Sequence, residues 1–411
     1  MSPVQTAPGT VVLKYGGSSV ADADKVRGVA SIVARRCKAG EKLVVVVSAM
    51  GKTTNHLIEL AGSISPQSGH YKREMDMLLA TGEQVSASLL AMALKDLGVD
   101  ALSMNAFQIG MLTTAAHSSA RIRDIQSDRL RTELDARGVV VVTGFQGVTD
   151  EGDLTTLGRG GSDTSAIALA AALGCPCEIY SDVAGVYACD PRIVPSAKKL
   201  EYITYEEMLE LASSGAKVLH SRGVEIADKQ EVELYCGSTF SDERGTKIVK
   251  KLPEWLEQPV VTGVALAEQI KVNLRGLPED VTLYTRVFNE LAGRGINLDM
   301  ISIVSENGKA AITFSVVSGD MENLRPALSA ALPGVDWTVS VDDSVSKVSA
   351  IGVGMQSASG VAGRFFGALA ARNIAVLGTT TSEIKIAVLV PRDQGHAAVD
   401  ALMTEFGLKD E

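Results

Sequence analysis

Two apolar runs, each ended by glycine, constrain the fold of this chain more than any other feature. The first is VVLKYGG at residues 11–17, and the second is KLVVVVSAMG at residues 42–51. Each precedes a segment with helical spacing, which after the first run places Val26, Val29 and Val33 on one face. Such runs are typical of strands covered on both faces, and the order strand, turn, helix favours a parallel sheet with crossover helices. The pattern predicts an α/β fold.

The same order continues to about residue 245, which predicts one doubly wound domain with ligands at the carboxyl ends of its strands. The predicted elements are a helix from near Asn55, a long helix over Arg73–Leu97, strands over Val139–Val142 and in CEIYSDV (177–183), and helices after Ser162, in TYEEMLELAS (204–213) and in VLHSRGVEIADK (218–229).

The last third of the chain contains an internal repeat. LAGRGINLDM at Leu291 and LAARNIAVLG at Leu369 are similar at an offset of 78 residues. Each copy is predicted to run strand, helix, strand, strand, helix in the ferredoxin-like manner. KKLPEWLEQPV at 250–260, with two prolines, is the predicted linker. The predicted domains are a sheet domain over 1–248, a linker and first strand over 249–263, and two repeats over 264–342 and 343–411.

Charge and cysteine content exclude several function classes. The net charge is −10 and no basic run exceeds two residues, which argues against nucleic-acid and anionic-membrane partners. Five cysteines without paired metal-site spacing favour reduced thiols and a cytoplasmic protein. No leader and no uninterrupted apolar stretch of about 18 residues is found, so no targeting or membrane segment is predicted.

The glycines after the first strand suggest an anion site. Gly16 and Gly17 free backbone N–H groups at a helix start, and Lys14 adds a positive charge beside them. Neither Walker nor dinucleotide spacing is present, and two glycines alone are more often a tight turn than a site. Three further glycine turns, SAMGKTTN, LGRGGSDTSA and SDVAGVYACDPR, favour a site, because all four should meet at one edge of the sheet.

Single residues at these turns leave alternatives open. Arg159 offers a planar fork for a carboxylate or a phosphate. Ser162 and Asp163 stand where N-cap residues belong, so capping is an alternative to ligand binding. Glu83 is predicted on a helix, where a solvated face is the alternative. The five histidines show no ligand spacing, and no protein metal site is predicted.

Six motifs together resemble the aspartate kinases of the amino acid kinase family. They are KYGGSSV, VVVVSAMGKTTNHLI, TGEQVS, GFQGVTDEGDLTTLGRGGSDTSA, SDVAGVYACDPR and GAKVLH, in that order. The terminal repeats resemble the two ACT regulatory domains of that family, so the resemblance runs from Val11 to about Leu408. It implies a doubly wound amino-acid-kinase-type sheet domain followed by two ferredoxin-like ACT domains.

The resemblance implies transfer of the γ-phosphoryl of MgATP to the side-chain carboxylate of L-aspartate, the first step toward lysine, threonine and methionine. Mg²⁺ is expected on the nucleotide, and a homo-oligomer is expected through the ACT domains. The implied catalytic residues are Lys14, Asp163 and Lys217. The implied substrate-binding residues are Ser48, Ala49, Thr54, Glu83, Phe145, Arg159, Gly160 and Ser162. The implied ATP-binding residues are Lys14, Gly16, Gly17, Ser181, Asp182, Tyr187, Arg192 and Lys217.

Two rival functions remain open from the sequence. A sister kinase acting on glutamate or N-acetylglutamate should lack the tandem repeat. A non-catalytic ACT-containing sensor should have lost Lys14, Arg159 or Asp163, and all three are present.

The regulatory pattern departs from that of the family. Ser302-Ile303-Val304 stand where Gln-Asn is expected, and Ala310-Ala311 replace Thr-Asp. Feedback by lysine and threonine is therefore predicted to be weak or absent, and a purely structural role of the repeats is the alternative. The remaining regulatory candidates are Asp299, Ser357, Thr381 and Glu383.

Overall fold

The chain divides into two compact units. The computed structural model describes residues 9–216, 218–253, 259–306, 308–317, 319 and 321–410. The first unit comprises the described residues within 1–186, 199–213 and 217–256, and the second those within 187–198, 214–216 and 257–411. Each unit is a part of the chain whose residues mainly contact one another. The boundaries drawn from motifs at 248, 263 and 342 stay predictions, and part of the proposed linker, 254–258, lies outside the described residues.

The first unit is built on a largely parallel eight-stranded sheet. Its strands, with those of a smaller sheet, are β1 (Thr10–Tyr15), β2 (Lys42–Val47), β3 (Ala101–Met104), β4 (Met111–Thr113), β5 (Ile122–Ile125), β6 (Val139–Thr143), β7 (Gln146–Val148), β8 (Leu154–Thr156), β9 (Cys177–Ser181), β10 (Tyr202–Thr204), β11 (Leu234–Ser238) and β12 (Thr246–Val249). The order in the large sheet is β10-β12-β11-β9-β1-β2-β6-β3. Its pairs are parallel apart from β11 with β12. The predicted parallel sheet is confirmed.

Helices cover both faces of this sheet. They are α1 (Ala23–Lys38), α2 (Thr53–Ile64), α3 (Lys72–Leu79), α4 (Thr81–Asp96), α5 (Asp128–Arg137), α6 (Gly161–Leu173), α7 (Tyr205–Ser213) and α8 (Ser221–Gln230). Buried apolar side chains of α1 and α4 pack with those of β1, β2 and β6 in one core. Helix α6 packs against β1 and α8. The four valines of the second apolar run are fully buried, as expected for a central strand.

The structure corrects the sequence interpretation at three places. The long helix over Arg73–Leu97 is two helices, α3 and α4, which are interrupted at Ala80. The carbonyl of Ala80 accepts a hydrogen bond from Gln146 Nε2 at 2.5 Å, and a side chain that takes a backbone carbonyl in this way disturbs the helical ladder. Helix α8 begins at Ser221, three residues later than predicted. A four-stranded sheet of order β5-β4-β7-β8, which the sequence did not predict, lies beside α3.

Burial explains part of the apolar character of the α3–α4 segment. By length and hydropathy, one described helical segment, Lys72–Asp96, could cross a membrane. Leu90 and Leu94 of this segment are fully buried in the core with β2 and β6. A helix that covers a parallel sheet needs such residues on its inner face.

The second unit contains one six-stranded antiparallel sheet. Its strands are β13 (Gly263–Pro278), β14 (Asp299–Glu306), β15 (Lys309–Val317), β16 (Thr338–Ile351), β17 (Gly378–Thr381) and β18 (Lys385–Pro391), and its helices are α9 (Val281–Gly293), α10 (Met321–Ala331), α11 (Val361–Ala371) and α12 (Gly395–Glu405). The order β14-β15-β13-β16-β18-β17 is symmetric about the long central pair β13 and β16. The chain therefore runs strand, helix, strand, strand, helix twice, as predicted.

Candidate active site

A cavity of about 300 Å³ lies in the first unit, where β1, β2 and β6 end and α6 begins. The residues that line it are Lys14, Gly17, Ser48, Ala49, Gly51, Thr54, Glu83, Phe145, Gly158, Arg159, Gly160, Gly161, Ser162 and Asp163. All eight residues that the sequence assigned to substrate binding are in this set. Three of the four predicted glycine turns thus meet at one edge of the sheet.

A buried ion pair occupies one side of the cavity. Lys14 Nζ at the end of β1 lies 2.7 Å from Asp163 Oδ1 in the first turn of α6, and both side chains are largely buried. A Cβ at Gly17 would lie 2.7 Å from the Ala49 carbonyl oxygen, so only glycine permits this approach of the two turns. The Lys14 ammonium and the Asp163 carboxylate thus line the cavity side by side.

Ser162 and Asp163 are not N-caps. The N-cap of α6 is Gly160, which has φ +66° and makes no side-chain capping bond. Ser162 and Asp163 stand one and two positions beyond the helix start, within its first turn. The capping alternative for these residues is wrong, because the turn at Gly160 shifts the helix start toward the amino terminus. The Gly161 N–H donates to the Gly158 carbonyl at 3.0 Å. Ser162 lines the cavity from the first turn of α6, where backbone N–H groups have no partner within the helix.

Glu83 is buried rather than on a solvated helix face. It is 3% exposed, and its Oε1 accepts a hydrogen bond from the Ala49 N–H at 3.0 Å. Oε2 has no hydrogen-bond partner among the described residues. Burial raises the pKa of Glu83 to about 7, although the hydrogen bond from the Ala49 N–H acts in the opposite direction. A carboxylate placed in this way is suited to receive a cation.

Arg159 projects from a loop between two glycines with left-handed backbone. Gly158 has φ +78° and Gly160 has φ +66°. A Cβ at Gly160 would lie 2.2 Å from the Cβ of His220, so this position requires glycine. The Arg159 side chain is exposed and makes no hydrogen bond or ion pair with the described residues. Its guanidinium is available for a carboxylate or a phosphate.

Phe145 follows β6 in an unusual backbone conformation. Its φ is +70°, which is uncommon for a residue other than glycine and often marks a functional site. The Ser165 hydroxyl accepts its N–H at 3.0 Å, and its carbonyl accepts the N–H of Leu157 at 2.9 Å. These bonds hold the strained turn and join β6 to the segment that precedes Arg159.

The remaining predicted nucleotide residues lie outside the cavity lining. Ser181 ends β9, where its hydroxyl accepts the Val183 N–H at 3.1 Å, and Asp182 beside it is exposed. Gly16 lies next to the lining residue Gly17 and donates its N–H to the Tyr180 carbonyl at 3.2 Å. Tyr187 and Arg192 belong to the second unit, where Arg192 binds Asp190. Lys217 lies outside the described residues.

The four regulatory candidates lie in the second unit. Asp299 at the start of β14 forms an ion pair with the buried Lys347 of β16. Burial raises the pKa of Asp299, but the Lys347 ammonium outweighs it and holds that pKa below its usual value. Glu383 accepts a hydrogen bond from Gln356 at 3.4 Å. The Ser357 hydroxyl donates to the Gly354 carbonyl at 3.3 Å, and Thr381 ends β17.

Three lining residues were not assigned from the sequence: Gly51, Gly158 and Gly161. All three belong to glycine turns that the sequence analysis singled out, so the turns were a sufficient signal, although they did not indicate which glycines line the cavity. Among the described residues, no group of three or more His, Cys, Asp or Glu side chains could hold a metal ion.

Comparisons with known proteins identify the family of this chain. The model of the amino acid kinase family matches residues 9–238, and an ACT domain model matches 348–406. The aspartokinase of Geobacillus stearothermophilus is 44% identical over 406 residues, which cover 98% of both chains.

Two solved structures of E. coli aspartokinase III, each 26% identical, cover 97% of this chain. The complex with aspartate and ADP, an R-state, has a TM-score of 0.81 and is covered completely. The complex with lysine and aspartate, a T-state, has a TM-score of 0.74 and is covered to 99%. The predicted resemblance is confirmed: the chain belongs to the aspartokinase family of the amino acid kinases.

Proposed function

We propose that this chain transfers the γ-phosphoryl of ATP to the side-chain carboxylate of L-aspartate, giving 4-phospho-L-aspartate and ADP. This is the first step toward lysine, threonine and methionine. The observation that carries the proposal is the cavity, which combines the Lys14–Asp163 pair with Arg159 and the buried Glu83. The aspartate and ADP bound to the related E. coli enzyme support the same pair of substrates.

The chemistry requires positioning and charge neutralisation rather than a general base. An aspartate side chain, with an ordinary pKa of about 3.9, is already ionised at neutral pH. Two anions must nevertheless approach each other through a transition state rich in negative charge. Lys14 supplies the positive charge for the transferring phosphoryl group, and Asp163 orients Lys14 through the ion pair of 2.7 Å. Backbone N–H groups at Gly17 and in the first turn of α6 add further donors.

Arg159 and Glu83 recognise the two charged ends of the amino-acid head group. Arg159 binds the α-carboxylate with its planar fork. The unpartnered Oε2 of Glu83 receives the α-ammonium, which restores to this buried oxygen the partner that it lacks. With both ends held, the side-chain carboxylate of the substrate faces Lys14. Ser48, Ala49, Thr54, Phe145, Gly160 and Ser162 complete the wall around it.

The nucleotide side is carried over from the family motif. Ser181, Asp182, Tyr187, Arg192 and Lys217 are assigned to ATP. Mg²⁺ is assigned to the phosphate oxygens of the nucleotide, because the cavity lining offers only two carboxylates, Glu83 and Asp163, and hard cations on such sites retain water and substrate oxygens as ligands. The five cysteines are free thiols, which supports a cytoplasmic enzyme. A homo-oligomer assembled through the ACT-type sheet is also proposed.

A hydroxamate assay tests the proposal directly, because an acyl phosphate reacts with hydroxylamine. Purified protein with MgATP should form hydroxamate with L-aspartate and far less with glutamate, N-acetylglutamate or succinate. Succinate lacks the ammonium that Glu83 receives, so it should be a poor substrate. Preferred turnover of glutamate would identify a sister kinase, and no turnover of any acid would identify a non-catalytic sensor.

A further inference from the structure

Two buried charged residues outside the cavity hold the backbone that carries Arg159. Asp76 on α3 is completely buried. Arg222 on α8 is half-buried. Neither residue lines the cavity. Charged side chains are seldom buried unless they bind specific partners, so their contacts indicate what they are for.

Asp76 joins two segments that are distant in sequence. Its Oδ1 accepts the Thr156 hydroxyl at 2.6 Å, at the end of β8. Its Oδ2 accepts the Ser118 N–H at 3.0 Å and the ring N–H of His117 at 2.8 Å. The three donors satisfy a carboxylate that water does not reach, and such charge-assisted bonds are the strong ones. Asp76 therefore fixes Thr156 against the segment at 117–118.

Arg222 holds the same two segments from another helix. Its Nη1 donates to the Leu157 carbonyl at 2.8 Å, and its Nη2 donates to the Ala120 carbonyl at 2.7 Å. The Ala120 N–H in turn donates to the Thr156 carbonyl at 3.0 Å. Thr156 and Leu157 are thus held through both main-chain and side-chain atoms.

This matters because the residues on either side of Arg159 are glycines. Gly158 and Gly160 have positive φ, and glycine restricts the backbone less than any other residue. The position of Arg159 therefore depends on the contacts that fix the backbone before Gly158 and after Gly160. After Gly160 the chain enters α6. Before Gly158, Leu157 donates its N–H to Phe145, and Asp76 and Arg222 supply the side-chain contacts.

Asp76 also connects this segment to Glu83. Helix α3, which carries Asp76, is followed after Ala80 by α4, which carries Glu83 in its first turn. The Asp76–Thr156 bond thus links the element before the ammonium site to the element before the carboxylate site. Their separation must match a single amino-acid head group, and small misplacement of binding groups is costly in enzymes.

We propose that Asp76 and Arg222 are positioning residues for aspartate recognition, acting by holding the Thr156–Gly160 segment so that Arg159 and Glu83 stand at a fixed separation. The inference rests on the proposed function, in which those two residues bind the substrate head group. The inference goes beyond the proposed function, because it assigns a role to residues that do not touch substrate.

A matched set of threonine variants tests this positioning role. Thr156→Val removes the hydroxyl that Asp76 accepts, whereas Thr156→Ser retains it. Thr155→Val makes the same change one residue earlier, where the buried hydroxyl bonds to Thr113 at 2.6 Å instead. We expect Thr156→Val to raise the KM for aspartate about fivefold and leave the KM for ATP unchanged. Thr156→Ser should restore the wild-type KM, and Thr155→Val should not change it.

Asp76→Asn and Arg222→Gln should raise the KM for aspartate further, by roughly tenfold or more. If either variant does not fold in a thermal unfolding measurement, the threonine set still decides the question. In the Arg159→Lys background, Thr156→Val should add little to the KM for aspartate, because residues that act through a common group are not additive.

Three results would overturn the inference: equal effects of Thr156→Val and Thr155→Val, a parallel rise in the KM for ATP, or full additivity with Arg159→Lys. The proposed function fails separately, if the wild-type protein forms no aspartyl hydroxamate.

Discussion

The cavity of the first unit contains two charged groups without a partner in the described part of the chain, beside one ion pair, whereas the two acidic regulatory candidates of the second unit both have partners. In the cavity, Glu83 Oε2 and the Arg159 guanidinium have no partner among the described residues. In the second unit, Asp299 is paired with Lys347, and Glu383 accepts a hydrogen bond from Gln356. A buried polar atom without a partner costs stability, and Glu83 Oε2 lies beside a cavity in which a ligand cation can supply that partner. The comparison predicts that the cavity binds the amino-acid substrate and that Asp299 and Glu383 do not bind an effector.

The largest expected effect is that of replacing Lys14, the cation of the cavity that is paired with Asp163. Lys14→Met should lower kcat roughly 10²–10³-fold, because Lys14 stabilises the transferring phosphoryl group in the transition state. The KM for aspartate should change little, since Arg159 and Glu83 remain. Steady-state hydroxamate kinetics measure both parameters.

Lys42→Met is the matched control for this variant. Lys42 also lies on a central strand, but its exposed ammonium pairs with Asp135 at 2.6 Å, and surface pairs contribute little. Near wild-type kcat in Lys14→Met would remove this residue from the mechanism.

Arg159→Lys tests the unpaired cation of the cavity. Lysine retains the charge but not the planar fork, so the KM for aspartate should rise by about tenfold or more while the KM for ATP stays nearly constant. Substrate titrations of the purified variant provide the measurement. Arg123→Lys, which changes an arginine in an exposed pair with Asp150, should leave both constants unchanged. An equal rise in both KM values would assign Arg159 to the nucleotide instead.

The sequence predicted the fold and the cavity because both depend on local patterns. The apolar runs before Gly16 and Gly51 specified buried parallel strands, and the glycine turns specified where the strands end. The rule that ligands bind at this edge of the sheet predicted the place of the cavity, whereas individual lining residues such as Glu83 and Phe145 were implied by the resemblance to the family.

What the sequence did not predict depends on long-range partners. The helix break at Ala80 is accompanied by a hydrogen bond from Gln146, 66 residues away. Nothing in the sequence distinguishes Asp76 from other acidic residues of an amphipathic helix. Its partners at 117, 118 and 156 are distant in sequence and contact it only in the folded chain. The capping alternative for Ser162 and Asp163 was excluded by the position of a single residue, since the N-cap is Gly160.

The pH dependence of aspartate binding tests the unpaired anion of the cavity. Burial raises the pKa of Glu83 to about 7, so below that pH the side chain is increasingly neutral and cannot pair with the α-ammonium. The KM for aspartate should therefore rise as pH falls below 7, approaching tenfold per pH unit. The KM for ATP measured in the same buffers is the internal reference.

Glu83→Gln provides the second measurement for this prediction. The variant should bind aspartate weakly at every pH, with no further rise below pH 7. It should also have a higher free energy of unfolding at pH 8, because ionising the buried carboxylate destabilises the folded state, and that cost grows between the unfolded pKa and the folded pKa. A KM for aspartate that is flat between pH 8 and pH 6 in the wild-type protein would contradict the role of Glu83.

The smallest expected effect is the inhibition of the enzyme by amino-acid effectors that would bind to the second unit. In the first repeat, Asp280 already accepts the Thr282 N–H at 2.8 Å at the start of α9, so this turn offers one donor fewer to a ligand carboxylate. Edge strand β14 exposes the apolar side chains of Ile303 and Val304 where the family pattern has amides. Lysine and threonine, alone or together, should therefore inhibit by less than about twofold at millimolar concentration, which corresponds to under half a kcal/mol of coupling.

The Asp299–Lys347 pair gives this last prediction a control. If the pair is structural, Lys347→Met should lower the melting temperature, because it leaves a partly buried carboxylate without its partner, and inhibition curves should not change. Asp299 is then a residue whose charge is used within the fold and is not available to an effector. Half-inhibition of the wild-type enzyme at sub-millimolar lysine or threonine would break the comparison, since internally paired charges would then coexist with a functional effector site.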